Sequence, residues 1–465
     1  MMSTSEPIPI LIRWISRRAL RWCYREIRFV GTQQIPAKGP VLLFGNHPND
    51  LPDVLAGFFT TTRQVRYVAT ISATVLPLAA TTYRGLGVIP VTRIRDVRKM
   101  KALGVDVSTV NRSAYNAVVE AFGAGDLVGV FPEGGVIDSS RVGTMHAGVG
   151  KMALKSLDTD GVNDVKLVAF GMQYEAPRTL RSDVIVQVGA PFSLARWARE
   201  AEEPTPVALS KRLHEELVAV TRNSHSWALA DARDRLTAVI AAVMATASEP
   251  LLETAVRVQP RCARLVDGSD RSHPSPDSAA EWTVLADGVA RIVERVGGLP
   301  TSARDIARVL DAAAGGLEEE SPQAHWPPMA FVVGAAVPAA IGLALHAPLF
   351  ALVQWVARRL AADRSELVAK AILPGLHLIF LGYLILGGFF ALGFRAVAMS
   401  AWWAIPFVML LPRLGDLGLA WRDALRALQL RTRVRRLSAS DAASIRSAAE
   451  QVRRAWMALS TSPYV

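Results

Sequence analysis

Asn46-His47-Pro48-Asn49-Asp50-Leu51-Pro52-Asp53 follows directly on the apolar run Val41 to Phe44. A histidine leaving the end of a buried strand, with carboxylates three and six residues on, supplies the minimum for a general base. The imidazole takes a proton, and a carboxylate fixes its tautomer and stabilises the imidazolium that forms. Both Asp50 and Asp53 qualify as that carboxylate. On a regular helix Asp50 would be phased at least as well, whereas Pro48 and Pro52 imply an irregular helix start able to bring Asp53 round. Three further blocks follow in order. Gly87-Val-Ile-Pro-Val-Thr-Arg93 ends on an arginine, whose fork of donors matches a phosphate bidentately. Arg95, Arg98 and Lys99 add local positive potential, or form a solvated loop. Phe131-Pro-Glu-Gly-Gly135 closes an apolar run and opens a glycine turn, where backbone N–H groups can approach an oxyanion or a phosphate. Glu133 there can bond a hydroxyl or pair with a basic neighbour such as Arg93. The fourth block is Val168-Ala-Phe-Gly-Met-Gln-Tyr174.

In that order, and at similar spacing, the four blocks resemble the glycerol-phosphate and lysophosphatidate acyltransferase superfamily over about residues 28 to 200. Most of that superfamily has His-x4-Asp. The pattern His-Pro-Asn-x-Leu-x-Asp, with its acid at plus six, resembles a branch found in bacteria and in fungal-type glycerol-phosphate acyltransferases. Arg181-Ser182 and Gly189-Ala-Pro191 resemble that branch too. The resemblance implies His47 as base and Asp53 as its orienting carboxylate, with Asp50 the alternative. It implies Arg93, Glu133, Gly134 and Gly135 at the acceptor. The implied reaction is direct transfer of a fatty acyl group from acyl-CoA or acyl carrier protein to glycerol 3-phosphate or 1-acylglycerol 3-phosphate, in phospholipid synthesis. No acyl-enzyme, no metal and no further cofactor is expected. Such chemistry needs the hydroxyl deprotonated as it attacks, the tetrahedral oxyanion stabilised and the acceptor held in place. The fourth block departs from the family: Ala169 stands where Pro is usual, in a strand more suited to packing the acyl site than to chemistry. The rival readings are an acyltransferase or transacylase for another lipid acceptor, and a non-catalytic membrane-binding scaffold. The joint presence of His47, Arg93 and Glu133 argues against the last.

Other chemistries are not indicated. His146-Ala-Gly-Val-Gly-Lys151 looks like a phosphate loop, but the first glycine of G-x-x-x-x-G-K would have to be Met145. No G-x-S-x-G elbow is present. The two cysteines, Cys23 and Cys262, are far apart and lack metal spacing. The net charge of +11 requires an anionic partner. Without a Cys/His zinc pattern or an aromatic RNP-like strand, that partner is a phospholipid bilayer or a phosphorylated substrate rather than nucleic acid.

The elements that must position these residues are legible as periodicities. Val41–Phe44, Val65–Ala69, Gly87–Val91, Leu127–Phe131, Lys166–Phe170 and Val184–Val188 read as strands. They alternate with helices after Asp53, from Asn111 to Phe122 and from Ala147 to Leu157. The fold class expected is therefore an α/β acyltransferase domain, a mixed sheet covered by helices, with an α-helical C-terminal membrane region. Residues 205 to 248 read as helical, and two further helices are expected near 278–296 and 301–314. Residues 8 to 28 read as a basic amphipathic helix with Arg13, Arg17, Arg21 and Arg25 along one face. That helix either lies in a membrane interface or packs on its own domain with a solvated arginine face. The interrupted apolar residues and the absence of a small-residue cleavage site do not make a secretory signal.

No Asp, Glu, Lys or Arg occurs from Trp326 to Ala357, from Ala371 to Phe394 or from Ala396 to Pro412. A spanning helix needs about 20 such residues. If the first stretch spanned, Arg358, Arg359, Arg364 and Lys370 would face outward against the positive-inside bias. With Pro338 and Pro348 inside it, the first stretch is expected to re-enter or lie in the interface. The second and third stretches are then expected to form a hairpin turning near Arg395. The expected organisation is an interfacial helix over 1–28, the acyltransferase domain over 29–235, a helical linker over 236–325, a membrane region over 326–415 and a basic tail over 416–465. The excess of Arg over Lys and the many Ala residues point to a GC-rich bacterial genome. The expected location is accordingly the cell inner membrane, with the catalytic domain on the cytoplasmic face.

Overall fold

The architecture comes from a computed structural model, which describes residues 7–70, 85–93, 96–137, 139–159, 162, 164–175, 181–246, 251–267, 284–292, 303–313, 327–360, 367–396 and 400–461. Arg95, Arg364 and the polar loop 268–277 lie outside the described residues, as do the ends of the helices expected at 278–296 and 301–314. The chain forms two compact units: Met1–Asn223 with Arg359–Ile372, and Ser224–Arg358 with Leu373–Val465.

The first unit is built on eight strands, β1 (Tyr24–Val30), β2 (Val41–Gly45), β3 (Val65–Thr70), β4 (Ile89–Val91), β5 (Leu127–Val130), β6 (Lys166–Tyr174), β7 (Ser182–Val188) and β8 (Phe192–Ser193). Their order is β1-β7-β6-β2-β5-β3-β4, with β8 on β6. Strands β6, β2, β5, β3 and β4 run parallel, as do β1 and β7, while β7 and β8 meet β6 antiparallel. The expected mixed sheet is present, and each of the six apolar runs forms a strand. The central β2 is buried along its whole length, as a strand covered on both faces must be.

Helices α1 (Pro7–Cys23), α2 (Leu51–Gly57), α3 (Val107–Gly123), α4 (Ala147–Lys155) and α5 (Pro206–Ala219) cover the sheet. Leu42, Phe44 and Val130 of the sheet form one core with Val118 and Phe122 of α3, Met152 of α4 and Leu213 of α5. Asp106 caps α3 by accepting from the N–H groups of Ser108 and Thr109.

One sequence expectation changes here. The first helix stops at Cys23, and residues 24–30 form β1 along β7. Tyr, Ile, Phe and Val favour that pairing, and Arg25 locks it with a bidentate pair to Asp183 at 2.9 and 2.7 Å. The arginine stripe is thereby split. Arg13 gives one guanidinium nitrogen to the carbonyls of Phe58 and Thr61 at 2.9 and 2.8 Å, tying α1 to the end of α2. Arg17 lies over the Phe59 ring, and Arg17 and Arg21 are exposed beside Trp14. The span 205–248, expected to be helical, consists of two helices. The α5 helix ends at Ala219, and Ser226 caps the next by accepting from Leu229 N–H. Thr221, whose hydroxyl donates back to the Leu217 carbonyl, and Asn223 fill the break.

The second unit contains α6 (Trp227–Met244), α7 (Leu251–Asp267), α8 (Ala303–Ala313), α11 (Ala404–Arg435), α12 (Ala439–Thr461) and most of α9 (Ala336–Leu360) and α10 (Leu367–Ala396). Val239, Ile240, Cys262, Ala307, Val309 and Val452 are fully buried in one core shared by α6, α7, α8, α12 and the end of α11. Among the described residues, three helices are long and apolar enough to cross a membrane: Ala336–Arg359, His377–Ala396 and Ala404–Arg435. Most of the first stretch, expected to re-enter or to lie in the interface, is the continuous 25-residue helix α9, preceded by a short helix over Met329–Gly334. Pro338 falls in the first turn of α9, where a missing N–H leaves no bond unmade. Phe380, Leu384, Phe389, Leu392 and Met409 stand exposed on α10 and α11, a surface suited to hydrocarbon. Small residues let these helices approach: a Cβ on Gly342 would stand 2.1 Å from the Leu414 carbonyl oxygen.

Gly45 is the strand residue that leads to His47, and it pairs in register with the fully buried Phe170. A Cβ at Gly45 would meet three atoms of that ring at 2.4, 2.5 and 2.8 Å. Gly45→Ala should therefore lower stability by about 1–3 kcal/mol, read as a fall in the thermal midpoint of the detergent-solubilised protein. An unchanged midpoint would show that the ring has room to move, contrary to this packing.

Candidate active site

The parallel strands β2, β5 and β4 end on one edge of the sheet, and the first three sequence blocks lie just beyond those ends. This is the edge where open α/β sheets form their crevices. His47 leaves β2 two residues after Gly45. Asn46 fixes the departure by bracketing Met172 of β6: its amide donates to the Met172 carbonyl at 3.1 Å and accepts from the Met172 N–H at 2.7 Å. The ring of His47 stacks on Phe131, with centroids 4.1 Å apart and planes 13° apart.

Asp53, not Asp50, meets the imidazole. Its Oδ2 lies 3.0 Å from His47 Nδ1 and accepts the Asn49 N–H at 2.7 Å. The backbone explains the choice. Asp50 sits at φ 56°, ψ −123°, a left-handed turn that reverses the chain before α2. The first turn of α2 then directs Asp53 back to the ring, while no described residue bonds the side chain of Asp50. Asp53 is completely buried, and Tyr174 donates its hydroxyl to Oδ1. Burial raises its pKa, and the bonds from His47, Tyr174 and Asn49 oppose the rise. With Nδ1–H donated to Asp53, Nε2 carries the free lone pair. No described residue bonds Nε2, and the side chain of His47 retains 12% exposure.

Glu133 stands beside this pair. Its Oε2 accepts the backbone N–H of His47 at 2.9 Å, and its Oε1 accepts that of Gly143 at 2.7 Å. Burial raises its pKa, resisted by those two N–H bonds. The carboxylate thus braces the loop that carries His47, and it forms no ion pair with Arg93. Gly134 has φ +71°, and the imidazole of His146 lies where its Cβ would be, 2.6 Å away at the nearest atom. Only glycine admits both features. Gly135 is buried, and its N–H bonds no described residue.

Arg93 is on the same edge but apart. Strand order separates β4 from β2 by three spacings, roughly 14 Å. Its Nε–H goes to Asp96 at 2.6 Å, and no described residue binds its two Nη groups. Asn111 clamps the preceding Thr92 through both its N–H and its carbonyl. The structure therefore gathers His47, Asp53, Glu133, Gly134 and Gly135 into one cluster and leaves Arg93 at its margin. No group of three or more His, Cys, Asp and Glu side chains suited to a metal ion occurs among the described residues. Cys23 is buried, which pushes its thiol up to about 12 and keeps it a poor nucleophile.

Sequence reasoning assigned no role to Asn46, Asn49, Tyr24 or Tyr174. Asn46 and Asn49 adjoin His47 and were within reach of a local reading. Tyr24 and Tyr174 are over a hundred residues apart, and only the sheet brings them together.

Residues 26–173 match the family model described as Acyltransferase. A stretch of 95 residues is 36% identical to Glycerol-3-phosphate O-acyltransferase 1 of Saccharomyces cerevisiae, covering 20% of this chain and 12% of that protein. Another of 121 residues is 27% identical to Glycerol-3-phosphate O-acyltransferase 2 of the same yeast, covering 25% of this chain and 16% of that protein. The match thus spans less than a fifth of either yeast protein. Among solved structures, the 1-acyl-sn-glycerophosphate acyltransferase of Thermotoga maritima aligns with a TM-score of 0.33 and 17% identity, over 47% of this chain and 80% of that one.

The two aspartates separate cleanly by test. Asp53→Asn keeps the shape but removes the charge that fixes the tautomer, and should lower kcat on the order of 10²–10⁴-fold. Asp50→Gly relieves a left-handed backbone of about 1–3 kcal/mol and should raise the thermal midpoint while kcat stays near that of the unaltered protein. A larger loss of kcat from the Asp50 change than from the Asp53 change would reverse the assignment.

Proposed function

We propose that this chain, whose residues 26–173 match the family model described as Acyltransferase, is a membrane-bound O-acyltransferase of the glycerol-phosphate and acylglycerol-phosphate superfamily. It moves a fatty acyl group from acyl-CoA or acyl carrier protein to the hydroxyl of glycerol 3-phosphate or 1-acylglycerol 3-phosphate. The observation that carries the reading is the His47–Asp53 pair, held at 3.0 Å on the carboxyl edge of the sheet with Nε2 unoccupied among the described residues.

The steps follow from that geometry. The acceptor hydroxyl gives its proton to His47 Nε2 as its oxygen attacks the thioester carbonyl carbon, and Asp53 stabilises the imidazolium. The tetrahedral oxyanion accepts the Gly135 N–H. On collapse the carbon–sulfur bond breaks, and the thiolate leaves with the proton from Nε2. No covalent enzyme intermediate is needed. Arg93 offers its two Nη groups to the phosphate of the acceptor. Glu133 acts by bracing the His47 backbone, which leaves the headgroup to Arg93 and the glycine turn. The apolar helices α9, α10 and α11 hold the enzyme in the bilayer, where a lipid acceptor and its product reside. The inner membrane, with the catalytic domain on the cytoplasmic face, suits a donor carried by CoA or by a soluble carrier protein.

Membranes containing the chain should be given labelled acyl-CoA or acyl carrier protein with, separately, glycerol 3-phosphate, 1-acylglycerol 3-phosphate and lysophospholipids lacking a terminal phosphate. Transfer to a phosphate monoester is expected, with His47→Ala lowering it on the order of 10³-fold. Transfer confined to acceptors without that phosphate would redirect the reading to another lipid. Absence of transfer to every acceptor from folded protein would leave the scaffold.

A further inference from the structure

We infer that Tyr174 is a positioning residue of the dyad: its hydroxyl holds Asp53 against His47 and, with Tyr24 behind it, makes an acid six residues after the histidine work. The inference rests on the acyl-transfer reading, which assigns no part to either tyrosine. Both lie just outside the family match of 26–173.

The argument begins with the bond count on Asp53. The carboxylate is completely buried and meets no arginine or lysine among its hydrogen-bond partners. Oδ2 serves both His47 Nδ1 and the Asn49 N–H. Oδ1 has one partner among the described residues, the hydroxyl of Tyr174. Without it, half of a buried carboxylate would face no donor, a costly state that rotation of the side chain or protonation would relieve. Either response spoils the base: rotation breaks the contact with Nδ1, and protonation removes the charge that stabilises the imidazolium.

The sheet builds this donor in. Tyr174 is the last residue of β6 and Tyr24 the first of β1, and they flank β7 through the register pairs Tyr174 with Val184 and Tyr24 with Ser182. Their ring centroids are 5.5 Å apart, and both rings are buried. Tyr24 accepts from Asn49 Nδ2 at 2.8 Å, so the second tyrosine steadies the residue whose N–H serves Oδ2. Each oxygen of Asp53 is thus governed from the same two-tyrosine corner. The titratable groups that face the carboxylate are His47, Tyr174, Tyr24, Tyr67 and Glu133.

The sign of the effect follows. The Tyr174 bond lowers the pKa of Asp53. Removing it makes the carboxylate more basic, so that it takes up a proton, and the pair loses its charge, at higher pH. That moves the acid limb of the kcat profile upward.

The test is steady-state acyl transfer by the full chain in nanodiscs across a pH series, using the acceptor on which the unaltered protein acts. Tyr174→Phe should lower kcat on the order of tenfold, leave the acceptor KM unchanged, and move the acid limb upward on the order of half a pH unit to one unit. Fluorotyrosine installed at position 174 keeps the shape and strengthens the donor, and it should move the limb the opposite way. That variant also stands if Tyr174→Phe fails to fold. A lowered kcat with an unmoved limb in both variants would make Tyr174 a packing residue only and overturn the inference. So would a kcat within twofold of the unaltered protein. Failure of the unaltered protein to transfer to any acceptor would instead remove the reading on which the inference stands.

Discussion

A carboxylate with no solvent exposure and no cationic side chain other than a histidine is the constraint around which the first unit is arranged. Burying such a charge is tolerable only when its oxygens are hydrogen-bonded. Asp53 draws its donors from three directions: the Asn49 N–H from its own loop, Nδ1–H from the strand end at His47, and the Tyr174 hydroxyl from β6. Each donor needs its own support. Asn46 pins the loop to Met172, the α2 helix carries Asp53 in its first turn, and Arg13 ties the far end of α2 to α1. An element as remote in sequence as the first helix therefore bears on the geometry of one side chain.

The second carboxylate shows the same logic with a different outcome. Glu133 is also buried, yet both its oxygens bond backbone N–H groups rather than side chains. A group so engaged cannot exchange partners cheaply, so it serves the shape of the loop more than the turnover of ligands. Placing Glu133 and His47 just beyond the ends of adjacent parallel strands, β5 and β2, gives the brace a fixed length. The stacked Phe131 ring closes the other side of the imidazole. The imidazole is left with one ring nitrogen, Nε2, that no described residue bonds.

Much of this was legible in the chain before its fold. Six apolar runs became strands, because parallel strands covered on both faces leave continuous Val, Ile and Leu segments that periodicity finds readily. The residues gathered at the site were legible as well, since His47, Asp53, Glu133 and the glycine turn lie in short blocks whose members are neighbours along the chain. The misreadings share a cause. Residues 24–28 carry arginines at a spacing that fits a helix, but the pairing of β1 with β7 is a contact across more than 150 residues that local pattern cannot report. Tyr24 and Tyr174 escaped for the same reason as β1: their role exists only once the sheet order does.

The position of the acid explains the backbone that surrounds it. A carboxylate six residues after the histidine leaves one more residue to accommodate than the commoner spacing of five. The extra length is absorbed at Asp50, which adopts a positive φ that an L-residue other than glycine rarely takes. That strain is held by its surroundings: Pro52 at the start of α2, the Asn49 side chain bound to Tyr24, and Asp53 bonded on both oxygens. A shorter loop would need no such corner, and the two tyrosines would have no carboxylate to hold. The displaced aspartate, the positive-φ residue and the tyrosine pair are therefore parts of one local arrangement around a single buried carboxylate.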